Sequence, residues 1–310
     1  MNPAARLVVV LGPTASGKSA LGIQLAQELG GEIVVCDSTQ VYRRFDIGTA
    51  KVPATERHSI PHHLLDLVEP DEVFTAGEYR RRAVIVLEEI RRRGKVPILT
   101  AGTGLYLRAL LEGLADAPTG SEELRERLGQ IVTVRGPAHL HQILERLDRA
   151  TAKRIAPRDT QKVIRALEMR LLTGRAVGDI HGSGRAALEG FEVRKIGLLP
   201  LRRALYDRID RRVTAMLAAG WIEEVRQLVE QVPADVKPFD FIGYAQIRAH
   251  LEGRLSIEDA TRQIQQATRR FAKRQITWFR RESNVQWLAG FGDDPEISAA
   301  MLECLQRNPA

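Results

Sequence analysis

The sequence predicts an α/β fold, a parallel β-sheet with helices on both faces, interrupted by a helical insertion. Three observations predict it. A glycine-rich stretch, Gly12 to Ser19, joins a short apolar run to a helical pattern. Strand-like apolar runs then alternate with helical ones, the pattern of parallel strands joined by crossover helices. Between Asp116 and Glu189, helical patterns follow one another with no strand among them.

Each element has its own signal. Arg6 to Leu11 is short, branched and apolar, as a strand buried on both faces is. Lys18 to Leu29 reads as a helix stopped by Gly30 and Gly31. Glu32 to Asp37 (EIVVCD) is a second buried strand ending in a carboxylate. Thr75 to Gly94 opens with capping-box spacing, Thr75 and Glu78, and closes after Arg91 to Arg93, which suit the negative end of a helix. Val96 to Ala101 is a third strand, and a Gly-Thr-Gly turn leads into a helix over Leu105 to Leu111. In the insertion, SEELRERLGQI, PAHLHQILERLD and TQKVIRALEMRLLTG are helical. Pro118 and the stretch Gly178 to Arg185, read as a loop, mark its edges. Phe191 to Leu201 returns to a strand, and the rest reads as mostly helical. The expected organisation is a first core part at 1–115, an insertion at 116–189, and core completion with basic C-terminal helices at 190–310.

Composition narrows the class. The chain has 310 residues, 44% hydrophobic and 27% charged, which is ordinary for a soluble globular protein. The early apolar run Leu7 to Leu11 is too short to cross a bilayer, and no secretory-signal pattern precedes it, so no membrane association is expected. Cys36 and Cys304 cannot form a disulfide framework, and no C-x-x-C zinc pattern exists, so a reduced, cytoplasmic protein is expected. The net charge is +7, and the segment Ala260 to Arg281 alone holds seven basic residues (Arg262, Arg269, Arg270, Lys273, Arg274, Arg280, Arg281) and no acidic one. A basic segment on a nearly neutral body points to a polyanion partner.

Gly12 to Ser19 fits G-x-x-x-x-G-K-[ST]. Glycines allow backbone N–H groups to face phosphate oxygens, the following helix adds its positive end, and Lys18 adds a charge. In such a loop Ser19 holds Mg²⁺ bridging the phosphates. Asp37 is open to three readings: a carboxylate that holds the metal, a general base facing a substrate, or a turn cap. Ser38, Gln40 and Tyr42 just past it suit hydrogen bonding to a planar heterocycle. Thr103, in a second glycine-rich turn at the same sheet edge, can donate to a phosphate or a substrate. His58, His62 and His63 lack metal-ligand spacing, since Pro61 breaks any helix that would align them, and fit a structural or substrate-lining role. The arginine triplets 80–82 and 91–93 read as a solvated face. Around residues 262–280, helical counting puts Arg262, Arg269, Lys273 and Arg280 on one face and Ile264, Ala267, Phe271 and Trp278 nearly opposite.

These motifs, in this order, resemble the bacterial tRNA dimethylallyltransferase (isopentenyl diphosphate:tRNA transferase) family. The likeness runs from about Leu7 to Trp287 and rests on GPTASGKS, DSTQVY, IGTAK, HHLLD, GTGLY, RDTQKVIRALE, IGY and AKRQITWFR. It implies a P-loop NTPase-like sheet in which Gly12, Pro13, Thr14, Ala15, Ser16, Gly17, Lys18 and Ser19 hold the diphosphate of dimethylallyl diphosphate, with Mg²⁺ as cofactor. It implies transfer of the dimethylallyl group to N6 of the adenosine 3′-adjacent to the anticodon in tRNA. Asp37 is then the general base, and Thr103 positions the reacting groups. The family positions that contact the anticodon stem-loop fall on Asp37, Ser38, Thr39, Gln40, Thr103, Arg125, Gln161, Lys162, Val163, Ile164, Arg165, Lys273, Arg274, Gln275 and Arg280. No obligate protein partner is implied. Ala101 stands where glycine is common, Val52 where proline is, and Gln246 where an acidic residue is frequent. No zinc-finger extension follows the basic segment, which disfavours the eukaryotic form. A small-molecule kinase, a prenyltransferase of free adenine nucleotides and a non-catalytic RNA-binding protein are the competing readings.

Overall fold

The structure is a computed structural model that describes residues 4–115, 120–182 and 186–306. It divides into two compact units, Met1–Leu110 with Glu189–Ala310, and Leu111–Leu188. The second unit starts at Leu111 rather than Asp116, and the expected edge at Asp116 and Pro118 lies outside the described residues.

The first unit begins with β1 (Ala5–Leu11), α1 (Lys18–Leu29), β2 (Gly31–Cys36), β3 (His62–His63), α2 (Ala76–Arg92), β4 (Val96–Ala101) and α3 (Gly104–Glu112). Leu7 to Leu11 and Gly31 to Cys36 are buried throughout, which is why both strands read as mostly apolar, Glu32 being the one charged residue among them. On α1 the residues Leu21, Leu25 and Ala26 pack on Val8, Val10, Ile33, Val35 and Ile98 of the sheet. Burying each Leu, Ile or Val side chain among these contributes about 1.5–3 kcal/mol. On α2, Tyr79, Ala83, Leu87 and Ile90 are buried, and Thr75 caps the helix by accepting from Glu78 N at 3.1 Å. The arginine triplets are not simply a solvated face: Arg80 donates to Ala109 O and Leu110 O, and Arg93 pairs with Glu32.

The second unit holds α4 (Glu122–Arg135), α5 (Pro137–Leu147), α6 (Arg149–Ala152), α7 (Thr160–Thr173) and α8 (Val177–Gly182) around Leu128, Leu140, Leu144, Val163, Leu167 and Ile180. The stretch expected to be a loop from Gly178 is helical as far as Gly182. Val177 and Ile180 bury against this core, and Val177 N donates to the Asp148 carboxylate at 2.9 Å. Packing overrides the glycine-rich composition there. The remainder of that stretch, 183–185, lies outside the described residues.

The chain returns to the first unit with β5 (Phe191–Leu198), α9 (Arg202–Ala218), α10 (Trp221–Gln231), α11 (Tyr244–Leu251), α12 (Ile257–Phe279), β6 (Val285–Leu288) and α13 (Pro295–Gln306). All pairings are parallel, in the order β3-β2-β4-β1-β5-β6. β1 is thus central, and the loops after β1, β2 and β4 emerge side by side at the carboxyl edge, where open α/β sheets bind ligands. Two strands were not foreseen. β6 is a four-residue run whose Trp287 ring covers Gly197. His62 and His63 form the sheet edge, with His62 Nδ1 against Ile60 O at 2.9 Å and His63 Nε2 against Glu32 at 2.6 Å.

Candidate active site

The loop between β1 and α1 is held from three directions. Gly17, the N-cap of α1, has φ +85°, a left-handed conformation that glycine adopts without strain. Lys18 Nζ donates to Pro13 O at 2.7 Å, folding the amine back over the loop. Thr14 N donates to Gln275 Oε1 at 2.7 Å, and Gln275 Nε2 donates to Gly102 O at 2.8 Å. Gln275 therefore ties the phosphate loop to the end of β4. It was expected to contact RNA. Its side chain is largely buried in the lining of the cavity, with both ends of the carboxamide engaged within the protein.

At the end of β2, the Cys36 carbonyl accepts from Gly102 N and Thr103 N, both at 3.0 Å, which locks the second glycine-rich turn beside Asp37. Asp37 Oδ1 accepts from Thr39 N at 2.9 Å and Thr39 Oγ1 at 2.7 Å, so the turn-cap reading is realised. The same carboxylate lines the cavity, and a Cβ on Gly102 would sit 2.7 Å from its Oδ2. Thr103 Oγ1 accepts from Ser38 N at 3.0 Å and donates to Ser38 Oγ at 3.2 Å. Thr103 thus fixes the Asp37–Ser38 turn. Gln40 Nε2 donates to Thr49 O at 2.9 Å, which joins it to the loop before Lys51.

These groups surround a cavity of about 1310 Å³ lined by Thr14 to Ser19, Asp37 to Gln40 and Thr103. Val52, Pro53, Met216, Phe241, Ile242 and Phe271 give it an apolar wall, and Arg208, Arg211, Arg212 and Arg274 a basic one. Burial pushes the Lys18 amine down to about 7; Asp37 opposes the shift and Arg212 adds to it. Burial and the neighbouring Arg208 also pull Arg212 down. An anion in this cavity relieves both. Ser16 Oγ is fully buried with no hydrogen-bond partner among the described residues, a polar atom left over within the loop.

Magnesium fits this donor set. It prefers oxygen ligands, keeps several waters, and is commonly held by one or two protein oxygens plus substrate phosphates. The Ser19 hydroxyl and the Asp37 carboxylate line the same cavity, and among the described residues no cluster of three His, Cys, Asp or Glu side chains forms an all-protein cage.

The three cavity-lining arginines of α9, Arg208, Arg211 and Arg212, escaped the sequence reading. Arg208 and Arg212 are one turn apart, beside the buried stripe Leu205, Ile209 and Val213. Helical counting applied there would have found them. On α12 the same counting placed the faces imperfectly. The buried stripe is Ala260, Ile264, Ala272, Gln275 and Phe279. Phe271 lines the cavity, and Trp278 lies beneath the Arg108 guanidinium, 5.0 Å from ring centre to Cζ. Nor are all seven charges unopposed: Arg262 pairs with Asp259, and Arg269 reaches both Asp210 oxygens at 2.5 and 2.6 Å. Lys273 and Arg280 are exposed and, among the described residues, make no ion pair. Arg274 is exposed, 5.7 Å over the Phe271 ring.

In the second unit, Gln161 and Lys162 are exposed in the first turn of α7, with Lys162 paired to Asp159. Val163 is fully buried in the helical core, so its side chain cannot contact RNA as expected, and Ile164 packs partly against that core. Arg125 and Arg165 both pair with the buried Glu168, Arg125 Nε at 2.9 Å. Burial raises the Glu168 carboxyl, but Arg165, Arg125 and Ser121 N outweigh it and hold the group below its ordinary value.

A parallel sheet whose first loop cradles phosphates, with a carboxylate at the next strand end, defines a phosphate-loop enzyme of the group-transfer kind. Which kind follows from comparison with known proteins. The IPP transferase family model matches residues 40–282, and the chain belongs to that family. It is 50% identical over 300 residues to the tRNA dimethylallyltransferase of Koribacter versatilis, covering 97% of this chain and 98% of that protein. Identity to the Solibacter usitatus tRNA dimethylallyltransferase is 49% over 298 residues, covering 96% and 97%. Among solved structures, the full-length tRNA isopentenylpyrophosphate transferase of Bacillus halodurans superposes with a TM-score of 0.71 at 36% identity, covering 97% of this chain and 95% of that one. A eukaryotic dimethylallyltransferase captured acting on tRNA gives 0.75 at 29% identity, covering 89% and 70%.

Proposed function

We propose that this enzyme transfers a dimethylallyl group from dimethylallyl diphosphate to N6 of the adenosine 3′-adjacent to the anticodon in tRNA, releasing diphosphate. The observation that carries the reading is the sharing of one cavity by the phosphate loop and Asp37, with apolar residues around them. The loop amides, Lys18 and Arg212 hold the diphosphate and stabilise its growing charge as the allylic C–O bond breaks. Ser19 would hold Mg²⁺ in this site, and the metal would supply further neutralisation of the leaving group's charge. N6 attacks the allylic carbon, and Asp37 takes the proton that N6 loses. Thr103 and Thr39 hold the Asp37 turn, and the apolar wall excludes water from the allylic carbon. The adenine reaches a sheet-edge cavity by leaving the anticodon stack. Exposed Lys273, Arg274 and Arg280, with Gln161 and Lys162 of the helical unit, meet RNA phosphates and sugar edges.

The test is direct. Purified protein, Mg²⁺, dimethylallyl diphosphate and unmodified tRNA should yield diphosphate and a tRNA adenosine heavier by one dimethylallyl group. AMP as acceptor, and ATP with small acceptors, run alongside. Product on AMP alone would replace tRNA with a free nucleotide, and phosphate transfer from ATP would replace prenyl transfer with a kinase reaction.

A further inference from the structure

We propose that the loop after β6, residues 290–294, is a wall of the diphosphate site, and that the Arg208–Asp293 pair is the latch that holds it there. The inference rests on the reading of the Gly12–Ser19 loop as a diphosphate site and adds two positioning residues to it.

The contact is tight. Gly292 N donates to Ser16 O at 2.8 Å. A Cβ on Gly292 would lie 2.5 Å from Gly17 O, and a Cβ on Gly17 would lie 2.6 Å from both Gly292 N and Asp293 Oδ1. The two backbones are in van der Waals contact, with room for no side chain on either. Because the Ser16–Gly17 peptide is planar and trans, its C=O and N–H point in opposite directions. Pinning Ser16 O toward residue 292 therefore aims Gly17 N–H away from that loop. A glycine peptide rotates readily when free, so the pin pre-organises one donor of an anion site.

The latch secures the pin. Arg208 of α9 donates to Asp293 through both arms of its guanidinium, Nη1 to Oδ1 at 2.8 Å and Nη2 to Oδ2 at 2.7 Å. The same guanidinium lies 4.6 Å over the Phe291 ring. Phe291 N donates to Asp294 Oδ2 at 2.9 Å, which shapes the turn, and Ser298 Oγ of α13 donates to Gln24 Oε1 of α1 at 2.6 Å on the far side. The pairing also answers an electrostatic difficulty. Asp293 stands beside Gly17, at the helix end where an incoming diphosphate carries its charge, and a bare carboxylate there repels it. Arg208 neutralises that carboxylate and, through its hydrogen bonds, holds it below its ordinary value.

This gives a non-additive signature. Arg208→Ala leaves Asp293 unneutralised and the loop unlatched, and should weaken binding of inorganic diphosphate with Mg²⁺, measured by calorimetry, about tenfold or more. Asp293→Ala loses the latch but also the negative charge, and should weaken it less, about threefold. The double variant should match Asp293→Ala, binding better than Arg208→Ala alone. Gly292→Ala, which displaces the loop without altering charge, should lower kcat/KM for dimethylallyl diphosphate while affinity for tRNA stays near wild type; a general loss of folding would lower both. If the double variant binds as poorly as Arg208→Ala, Arg208 contacts the diphosphate directly and the latch is wrong. Wild-type affinity in all variants also overturns it. Failure of the unaltered protein to bind diphosphate at all would instead remove the diphosphate-site reading on which the latch depends.

Discussion

Raising the pH is expected to loosen diphosphate binding through a single residue, Lys18. Burial pushes its amine from an ordinary 10.5 to about 7. A bound diphosphate favours the ammonium form, so binding takes up a proton wherever the free amine is neutral. From a free value of about 7, the amine is about ten parts ammonium to one part neutral at pH 6 and the reverse at pH 8, so affinity falls about tenfold across that interval. Stability of the ligand-free protein carries the opposite sign. Between about 7 and 10.5 the unfolded chain binds the Lys18 proton and the folded one does not. This group therefore makes the folded state more stable as pH rises through that window, by at most about 1.4 kcal/mol per pH unit. The assay is calorimetric titration of inorganic diphosphate with Mg²⁺ in buffers of different ionisation enthalpy, which counts protons taken up. Lys18→Arg stays charged throughout, so the ratio of the two proteins' affinities cancels the ligand's own ionisation. Parallel pH profiles for the two proteins, with no proton uptake near pH 8, would show that Lys18 is charged in the free site and refute the argument.

Further outcomes follow from the same geometry. Asp37→Asn keeps an oxygen to accept from Thr39 but removes the base, and should lower single-turnover prenylation by about 10²-fold or more with tRNA affinity nearly unchanged; a collapse of binding with a normal rate per bound tRNA would remove Asp37 as base. Lys273→Ala and Arg280→Ala should each weaken tRNA binding and reduce the slope of log affinity against log salt by about one, read from filter binding across salt concentrations; an unchanged slope would take these residues off the phosphate path. Glu168→Ala leaves Arg125 and Arg165 facing each other without their shared carboxylate and should cost about 1–3 kcal/mol in the helical unit, seen as earlier amide exchange there. Because the Glu168 carboxyl is held below its ordinary value, its stabilising contribution is present above the ordinary carboxylate range and is lost as pH falls through the lowered one.

Much of the first unit was legible because its signals are local. An apolar strand, a glycine-rich loop and a capped helix each carry their own pattern, and α1 falls over Lys18–Leu29 and β4 over Val96–Ala101 as those patterns predict. Short or mixed segments were not legible. The four residues of β6 and the two of β3 are strands only because β5 and β2 stand beside them to pair with. Gln246 illustrates a smaller point: it stands where an acidic residue is frequent, yet its Oε1 accepts from Gly243 N at 2.7 Å and starts α11 equally well.

The site divides along the same line. The sequence by itself determined the chemistry available, namely the phosphate loop with Lys18 and Ser19, the carboxylate at Asp37 and the cationic surface near Lys273 and Arg280, because residue type and local spacing suffice for those. Only the tertiary structure decided which side chains serve a ligand and which serve the protein. Gln275 turned inward to join Thr14 to Gly102, Val163 went to a core, and Arg269 was taken by Asp210. Arg208 and Arg212, remote in sequence from the loop, came to stand over it. A helical wheel gives the angle between residues on one helix. Where the wheel points is set by the neighbours that bury one side of it, and those neighbours are chosen by long-range packing.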